Sequence, residues 1–535
     1  MLARFSKIVR VTTVAALLMA VLGADAPLHA QDGTKEAATR TPRQPPSGFP
    51  ADLDTYIAQA LKDWGLPGIA VAVVRNDSVL IAKGYGVREL GHPERVDAHT
   101  AFDAASLTKS FTAAAVGTLV DEGKMRWDDP ARRYLPELEF ADPYLTANVT
   151  LRDLLAHRVG LEPANFMWRF TGYDRAEVIR RVRFLKPLIP FRTGMVYSNV
   201  GFTLIGEAAA RAAGTTWEGL VRARLLQPLG MKDTFFWLER DTHRQNAAIA
   251  HAMIDDIQVP VDARDGTAAL DARDVTAPAG SVQSSAWDLA QWMRFQLGDG
   301  TFEGKRILSA AALEELHSPQ VIVPTPASFR RARQLDFFAT YGMGWQVWDY
   351  RGHTMLWHSG SGNGEIAYMA LLPKERLGVV VLVNSWRSGI IHAYVANRIL
   401  DRYLGLPTRD YSHEGLVADS AATRKATEEH QHFMSTRVQG ASPARPLGEY
   451  VGTYVDTLNG EISLRLERDS LTLQMARGAV ADLSPWTRDA FFVRWRFPVY
   501  RASYMSLAEF TFDASGAPAA FSMLLNRDTV KARRK

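Results

Sequence analysis

The chain has 535 residues, a formal net charge of +4 and no cysteine, which excludes disulfides, thiolate catalysis and cysteine-ligated zinc. The small charge and the lack of a basic helix or interleaved aromatic patch exclude a nucleic-acid-binding protein. With 47% hydrophobic residues the chain can bury a large core, and its length implies more than one domain.

Arg4, Lys7 and Arg10 precede an apolar run from Val11 to Gly23, followed by small residues and Gln31. This is the layout of a secretory signal peptide at residues 1–30, with cleavage expected after Ala30. The run is too short to span a bilayer, so no stable membrane span is expected after its removal. Loss of Arg4, Lys7, Arg10 and Asp25 lowers the charge from +4 to +2. The expected location is the periplasm or outside the cell. Residues 31–48 end in a Pro- and Gly-rich stretch and read as a flexible leader.

From Ala51 to Trp64, Leu53, Ile57, Ala60, Leu61 and Trp64 recur at helical spacing. Ile69–Val74 then reads as a buried strand, and Asn76-Asp77 turns it into a second strand over Val79–Gly86. Residues 101–300 are expected to be mainly helical. Thr150 and Asp153 cap a helix ending at His157, which is read as structural. Val200–Ala213 is an apolar helix closed by Gly214, and Ala277–Ser281 a loop before a helix from about Ser285 to Leu297. Strands return at Gly342–Trp348, His353–His358, Glu365–Leu372 and Gly378–Asn384, followed by a helix from about Gly389 to Leu404. One sheet would therefore join strands from both ends of residues 49–405 around a helical lobe, leaving a cleft where the two meet.

Residues 406–445 are polar and read as a linker with some helical character; His430 and His432 there lack a partner cluster for a metal. Residues 446–535 alternate as short strands with Asn-Gly and Ser-Gly turns, the pattern of a small β-barrel. The basic stretch Lys531–Lys535 reads as a solvated tail. The fold class is thus α/β (α+β): an antiparallel sheet flanked by helices, an all-helical lobe and a C-terminal barrel.

The candidate chemistry centres on Ser106 and Lys109, three apart before the apolar segment Ala113–Val120 and so on one helical face. A serine hydroxyl is a weak nucleophile until a base takes its proton, and a lysine kept from water can be that base. Ser-x-x-Lys alone is weak, and its companions give it meaning. Tyr197-Ser198-Asn199 supplies a phenol that can relay a proton if an ammonium lowers its pKa, and an amide that can hold both lysine and substrate. His358-Ser359-Gly360-Ser361-Gly362 ends a strand with small residues along which a substrate can lie. The run Gly360–Gly364 leads into a strand and is not a phosphate loop.

In this order the three motifs resemble those of the serine β-lactamase and penicillin-binding protein superfamily. Tyr-x-Asn resembles its class C, D-aminopeptidase and esterase branch (peptidase S12-like). The barrel is similar to the lipocalin-like domain of some peptidases in that branch. The resemblance implies that Ser106 is acylated and that Lys109 and Tyr197 share the proton work. It also implies that Asn199, His358, Gly360 and Ser361 bind substrate, with the backbone N–H groups of Ser106 and Ser361 forming the oxyanion hole. It implies no cofactor and no metal. His358 stands where lactamases carry lysine, and a neutral histidine is a poor partner for a β-lactam carboxylate. The expectation is an exported hydrolase of amides or esters in peptides or small molecules. A weak β-lactamase and a non-turnover sensor stay open, as does oligomerisation through the barrel.

Overall fold

The computed structural model describes residues 49–535 apart from 255–256, 262–273, 326–337, 363, 388–389, 477, 498–499, 502–504 and 526–527. The expected signal peptide and leader lie outside the described residues. Helix α1 (Ala51–Asp63) buries Leu53, Ile57 and Ala60, one stripe of its surface. Strands β1 (Gly68–Arg75) and β2 (Ser78–Gly86) form the expected hairpin. Asn76 and Asp77 turn it at φ 49° and 66°, a left-handed region these residues tolerate.

The lobe that follows is built on α2 (Thr108–Asp121), buried on every side from Thr108 to Leu119; its apolar residues fill the core and the hydroxyls of Ser110, Thr112 and Thr118 donate to backbone carbonyls. Helix α3 (Leu151–Leu155) opens with the expected capping box of Thr150 and Asp153. Beyond α4 (Asn165–Arg169) lies α5 (Asn199–Ala213), capped by Ser198 and stopped by Gly214 at φ 68°. Helix α6 (Ala286–Leu297) starts after its cap, Ser285. A purely helical reading of this region misses short strands. Val282–Ser284 pairs with Phe102–Asp103 and Phe235–Phe236, and Ala250–Ile254 pairs with Ile257–Val261. The two- and three-residue strands carry too little alternation to be seen in sequence, and Pro260 demotes the signal of the five-residue pair. Ala277–Gly280, expected as loop, is a single helical turn.

The main sheet is completed by β3 (Val321–Ile322), β4 (Ala339–Tyr341), β5 (Gln346–Tyr350), β6 (His353–Ser361), β7 (Ile366–Leu372) and β8 (Leu377–Val383). Its antiparallel order is β3-β4-β5-β6-β7-β8-β1-β2, so β1 lies inside the sheet with Ile69 opposite Val383. Both faces of β1 are covered. Ala70, Ala72 and Val74 meet the helical lobe; Ile69, Val71 and Val73 meet α1 and α7 (Ile391–Tyr403).

Within 406–445 runs a 25-residue helix, α8 (Tyr411–Ser435), which buries little beyond Tyr411, Ser412, Gly415 and Phe433. The C-terminal strands β9 (Gly452–Asp456), β10 (Gly460–Glu467), β11 (Ser470–Met475), β12 (Val480–Pro485), β13 (Ala490–Trp495), β14 (Ser506–Phe512), β15 (Pro518–Leu525) and β16 (Asp528–Arg534) close into a barrel. Aromatic rings pack within it: Tyr450 lies 4.9 Å from Phe510, and Tyr454 5.2 Å from Phe521. The basic stretch expected as a tail is instead the closing strand. Val530 and Ala532 point inward while Lys531 and Arg533 stay in water, so the charges hid a period of two. Among the described residues no helix is long and apolar enough to cross a membrane.

Candidate active site

After the strand Phe102–Asp103 the chain makes a 3₁₀ turn, Ala105–Leu107, before α2 begins. Ser106 therefore sits just ahead of α2, not within it. Ala105 is left-handed at φ 45°, a conformation costing a residue with a Cβ about 1–2 kcal/mol. The turn is tied down on both sides of Ser106. The Ala105 N–H donates to Asp103 Oδ1 at 2.9 Å and the Leu107 N–H to Ala104 O at 3.0 Å. The Ser106 N–H has no acceptor among the described residues.

Lys109 reaches back from the first turn of α2. Its Nζ is 3.0 Å from Ser106 Oγ, 2.9 Å from Asn199 Oδ1 and 2.8 Å from the carbonyl of Ala279. The residue is fully buried, and loss of water pushes its pKa well below the ordinary lysine value. A neutral amine has two N–H bonds and one lone pair. When Lys109 is neutral, the Asn199 and Ala279 oxygens, which can only accept, take the two N–H bonds and leave the lone pair facing the Ser106 hydroxyl. Asn199 is held in turn: its Nδ2 donates to Asn165 Oδ1 at 3.3 Å, which points its oxygen at Lys109.

The Tyr197 hydroxyl is 3.0 Å from Ser106 Oγ, and Lys109 Nζ lies 4.8 Å from the ring centroid. A phenol with a lowered pKa was the expectation. Burial acts the other way and outweighs the hydrogen bond that Tyr197 donates to Ser106, raising the pKa, so Tyr197 is a neutral donor. Behind it stands His157, left-handed at φ 58° just past α3. The ring centroids are 4.3 Å apart, and His157 Nδ1 accepts the Ser198 N–H at 3.2 Å. Tyr341 packs 4.9 Å from His157 and places its hydroxyl 3.2 Å from His358 Nε2. Burial, then the field of Lys109, holds both histidines below their usual value, His358 at about 3. Lys109 is thus surrounded by neutral groups, and its hydrogen-bond partners are carbonyl and hydroxyl oxygens rather than carboxylates.

Strand β6 forms the other wall. Strand β5 pairs with His353–Trp357 only, whereas β7 pairs as far as Ser361. Along His358–Ser361 the Ser106 turn approaches so closely that a Cβ on Gly360 would lie 2.2 Å from the Ala104 oxygen. Of the residues singled out in sequence, Ser106, Lys109, Tyr197 and Asn199 come into one connected set. Gly360 abuts the turn, His358 is 4% exposed behind Tyr341, and Ser361 ends the strand at the surface. Neither His358 nor Ser361 bonds to Ser106 among the described residues. Sequence reasoning missed Tyr341 and Asn165, whose spacing carries no signal, and saw His157 only as a helix end. His430 lies 3.0 Å from Met505 Sδ, and no cluster of three or more metal-ligating residues occurs among the described residues.

A family model described as Beta-lactamase matches residues 53–402, and one described as Domain of unknown function (DUF3471) matches residues 436–533. The chain is 27% identical over 443 residues to Unguisins hydrolase ungD of Aspergillus violaceofuscus, covering 78% of this chain and 76% of that protein. It is 29% identical over 329 residues to Penicillin-binding protein 4 of Amycolatopsis lactamdurans, covering 60% and 81%. With the D-alanyl-D-alanine-carboxypeptidase/endopeptidase AmpH of Escherichia coli it shares 24% over 347 residues, covering 63% and 84%. The octameric penicillin-binding protein homologue from Pyrococcus abyssi superposes at a TM-score of 0.58 and 20% identity, covering 90% of this chain and 99% of that one, so the two share a fold. With its sheet, its helical lobe and a match over residues 53–402, the chain belongs to the beta-lactamase family of serine hydrolases.

Proposed function

We propose that the chain is an exported serine hydrolase that cleaves amide or ester bonds of peptides or small molecules through an acyl-enzyme on Ser106. The observation that carries this reading is the contact of one hydroxyl with both a buried, depressed amine and a neutral phenol. In the proposed cycle the Ser106 proton passes to the lone pair of Lys109 as Oγ attacks the carbonyl carbon. The negative charge moves to the carbonyl oxygen, which the Ser106 and Ser361 N–H groups stabilise. The tetrahedral carbon then expels its amine or alcohol, which takes a proton from Tyr197, and the Lys109 proton restores the phenol. Water repeats the sequence on the acyl-serine and releases the acid.

The charge state of His358 supports an ester or peptide in preference to a β-lactam, because a neutral imidazole offers no counter-charge to a ring carboxylate. The proposed test is fluorophosphonate labelling together with hydrolysis of p-nitrophenyl acetate, D-amino-acid amides and nitrocefin. Labelling and turnover should vanish in Ser106→Ala. Hydrolysis that persists in that variant would overturn the reading. A burst without steady turnover on every substrate would replace it with the sensor reading.

A further inference from the structure

The barrel does not simply follow the hydrolase fold; it holds part of it. Helix α4 is only five residues long, and its N-cap, Ala164, is left-handed at φ 49° and brings no side-chain acceptor. A helix start without a cap leaves N–H groups unpaired. Here the cap comes from 362 residues away: Asp528, at the start of β16, accepts the Phe166 N–H at 3.0 Å and also the Asn165 N–H.

The apolar side of α4 is anchored to the same domain. Phe166 and Phe170 are buried in the barrel's own core cluster. Phe170 stacks on Trp495 of β13 at 5.4 Å and meets Tyr500 edge-on at 4.8 Å. Nearby, the hairpin between β9 and β10 accepts an Arg181 N–H on the Thr457 oxygen. The other end of this contact is the site itself. Asn165, the first residue of α4, holds the Asn199 amide, and Asn199 holds Lys109.

We propose that Asp528 is a positioning residue for the hydrolase site: by capping α4 it fixes Asn165 against Asn199 and so keeps the Lys109 lone pair on Ser106. The barrel is then a working part of the site. This rests on Ser106 being the nucleophile, so the test first requires that fluorophosphonate labelling of the full chain is lost in Ser106→Ala; failure there strikes the proposed function and not the cap.

The variants are Asp528→Asn, Asn165→Ala and the two combined. Asp528→Asn keeps the shape of the carboxylate but turns a donor toward one of the two N–H groups. Asp528→Asn and Asn165→Ala should each slow second-order labelling about tenfold, and the double variant should be no slower than the slower single, because both cut one chain of contacts. Loosened packing around Lys109 admits water and raises its pKa, so the pH midpoint of labelling should move up by about half a unit in all three. A merely structural cap would lower the melting temperature and leave that midpoint unmoved. An Asp528→Asn protein that labels at the wild-type rate with the wild-type midpoint overturns the proposal. So does a double variant whose loss is the product of the two single losses.

Discussion

Gly360→Ala tests the wall that faces Ser106. The new methyl would lie 2.2 Å from the Ala104 oxygen and 3.1 Å from Ala105 Cβ, and real Cβ atoms essentially never come within 3.0 Å of a neighbour. The obstacle is backbone on both sides, so neither a rotamer change nor a flexible side chain can absorb it. The gap from 2.2 to 3.0 Å means that β6 and the Ser106 turn must part by 0.8 Å. Ser106 is the second residue after Ala104 and would move with it, away from β6 and out of its spacing to Tyr197 and Lys109. A misplacement near 1 Å costs about 10²-fold in rate, equivalent to ~2.7 kcal/mol of transition-state stabilisation. The assay is kcat/KM for p-nitrophenyl acetate alongside the rate of fluorophosphonate labelling, with circular dichroism to establish that the variant is folded. A folded Gly360→Ala protein within threefold of wild type on both measures would refute the argument that this glycine sets the spacing of the site.

Activity should rise with pH and reach its plateau well below the ~10.4 of a solvated lysine, since Lys109 must be neutral to accept the Ser106 proton. The linked stability has the same sign. The unfolded chain binds a proton at Lys109 that the folded chain does not, so stability rises with pH from the folded pKa up to ~10.4; urea midpoints of wild type and Lys109→Met should converge across that window. Asp153 is fully buried, with Arg158 at 2.6 Å and Arg192 at 2.7 Å, so Asp153→Asn leaves the two guanidinium groups short of a counter-charge and should cost about 3 kcal/mol in a urea melt. His358→Lys should raise the ratio of nitrocefin to p-nitrophenyl acetate hydrolysis about tenfold, or ~1.4 kcal/mol, by placing a cation beside the β-lactam carboxylate; an unchanged ratio would remove charge as the reason for the proposed substrate preference.

What could be read in the sequence follows from how local each signal is. The capping box at Thr150 and Asp153, the Ser198 cap and Gly214 stop of α5, and the β1–β2 hairpin are all set by neighbours within a few residues. Helix α8 was legible only as a polar linker with some helical character, because so few of its 25 residues are buried that no apolar stripe marks a period. Strand β16 was obscured in the opposite way, its inward Val530 and Ala532 being outnumbered by solvated cations. In the site, the motif residues were visible, but the surroundings that set their charge were not. The raised pKa of Tyr197 and the depressed one of Lys109 depend on burial among His157, Tyr341 and Phe202, which come from separate segments. The Asp528 cap on α4 lies further still beyond local reasoning.

The place of β1 in the sheet has a consequence for how the chain is made. Its inner edge is sealed by β8, and more than three hundred residues, among them the entire helical lobe, must emerge from the ribosome before that partner exists. Until then a valine-rich ribbon waits with an open flank, the kind of edge that invites pairing with other chains. Contacts so distant along the polypeptide are slow to form, so folding should wait for synthesis to pass Val383, and a holding chaperone should find its binding segment at Ile69–Val74.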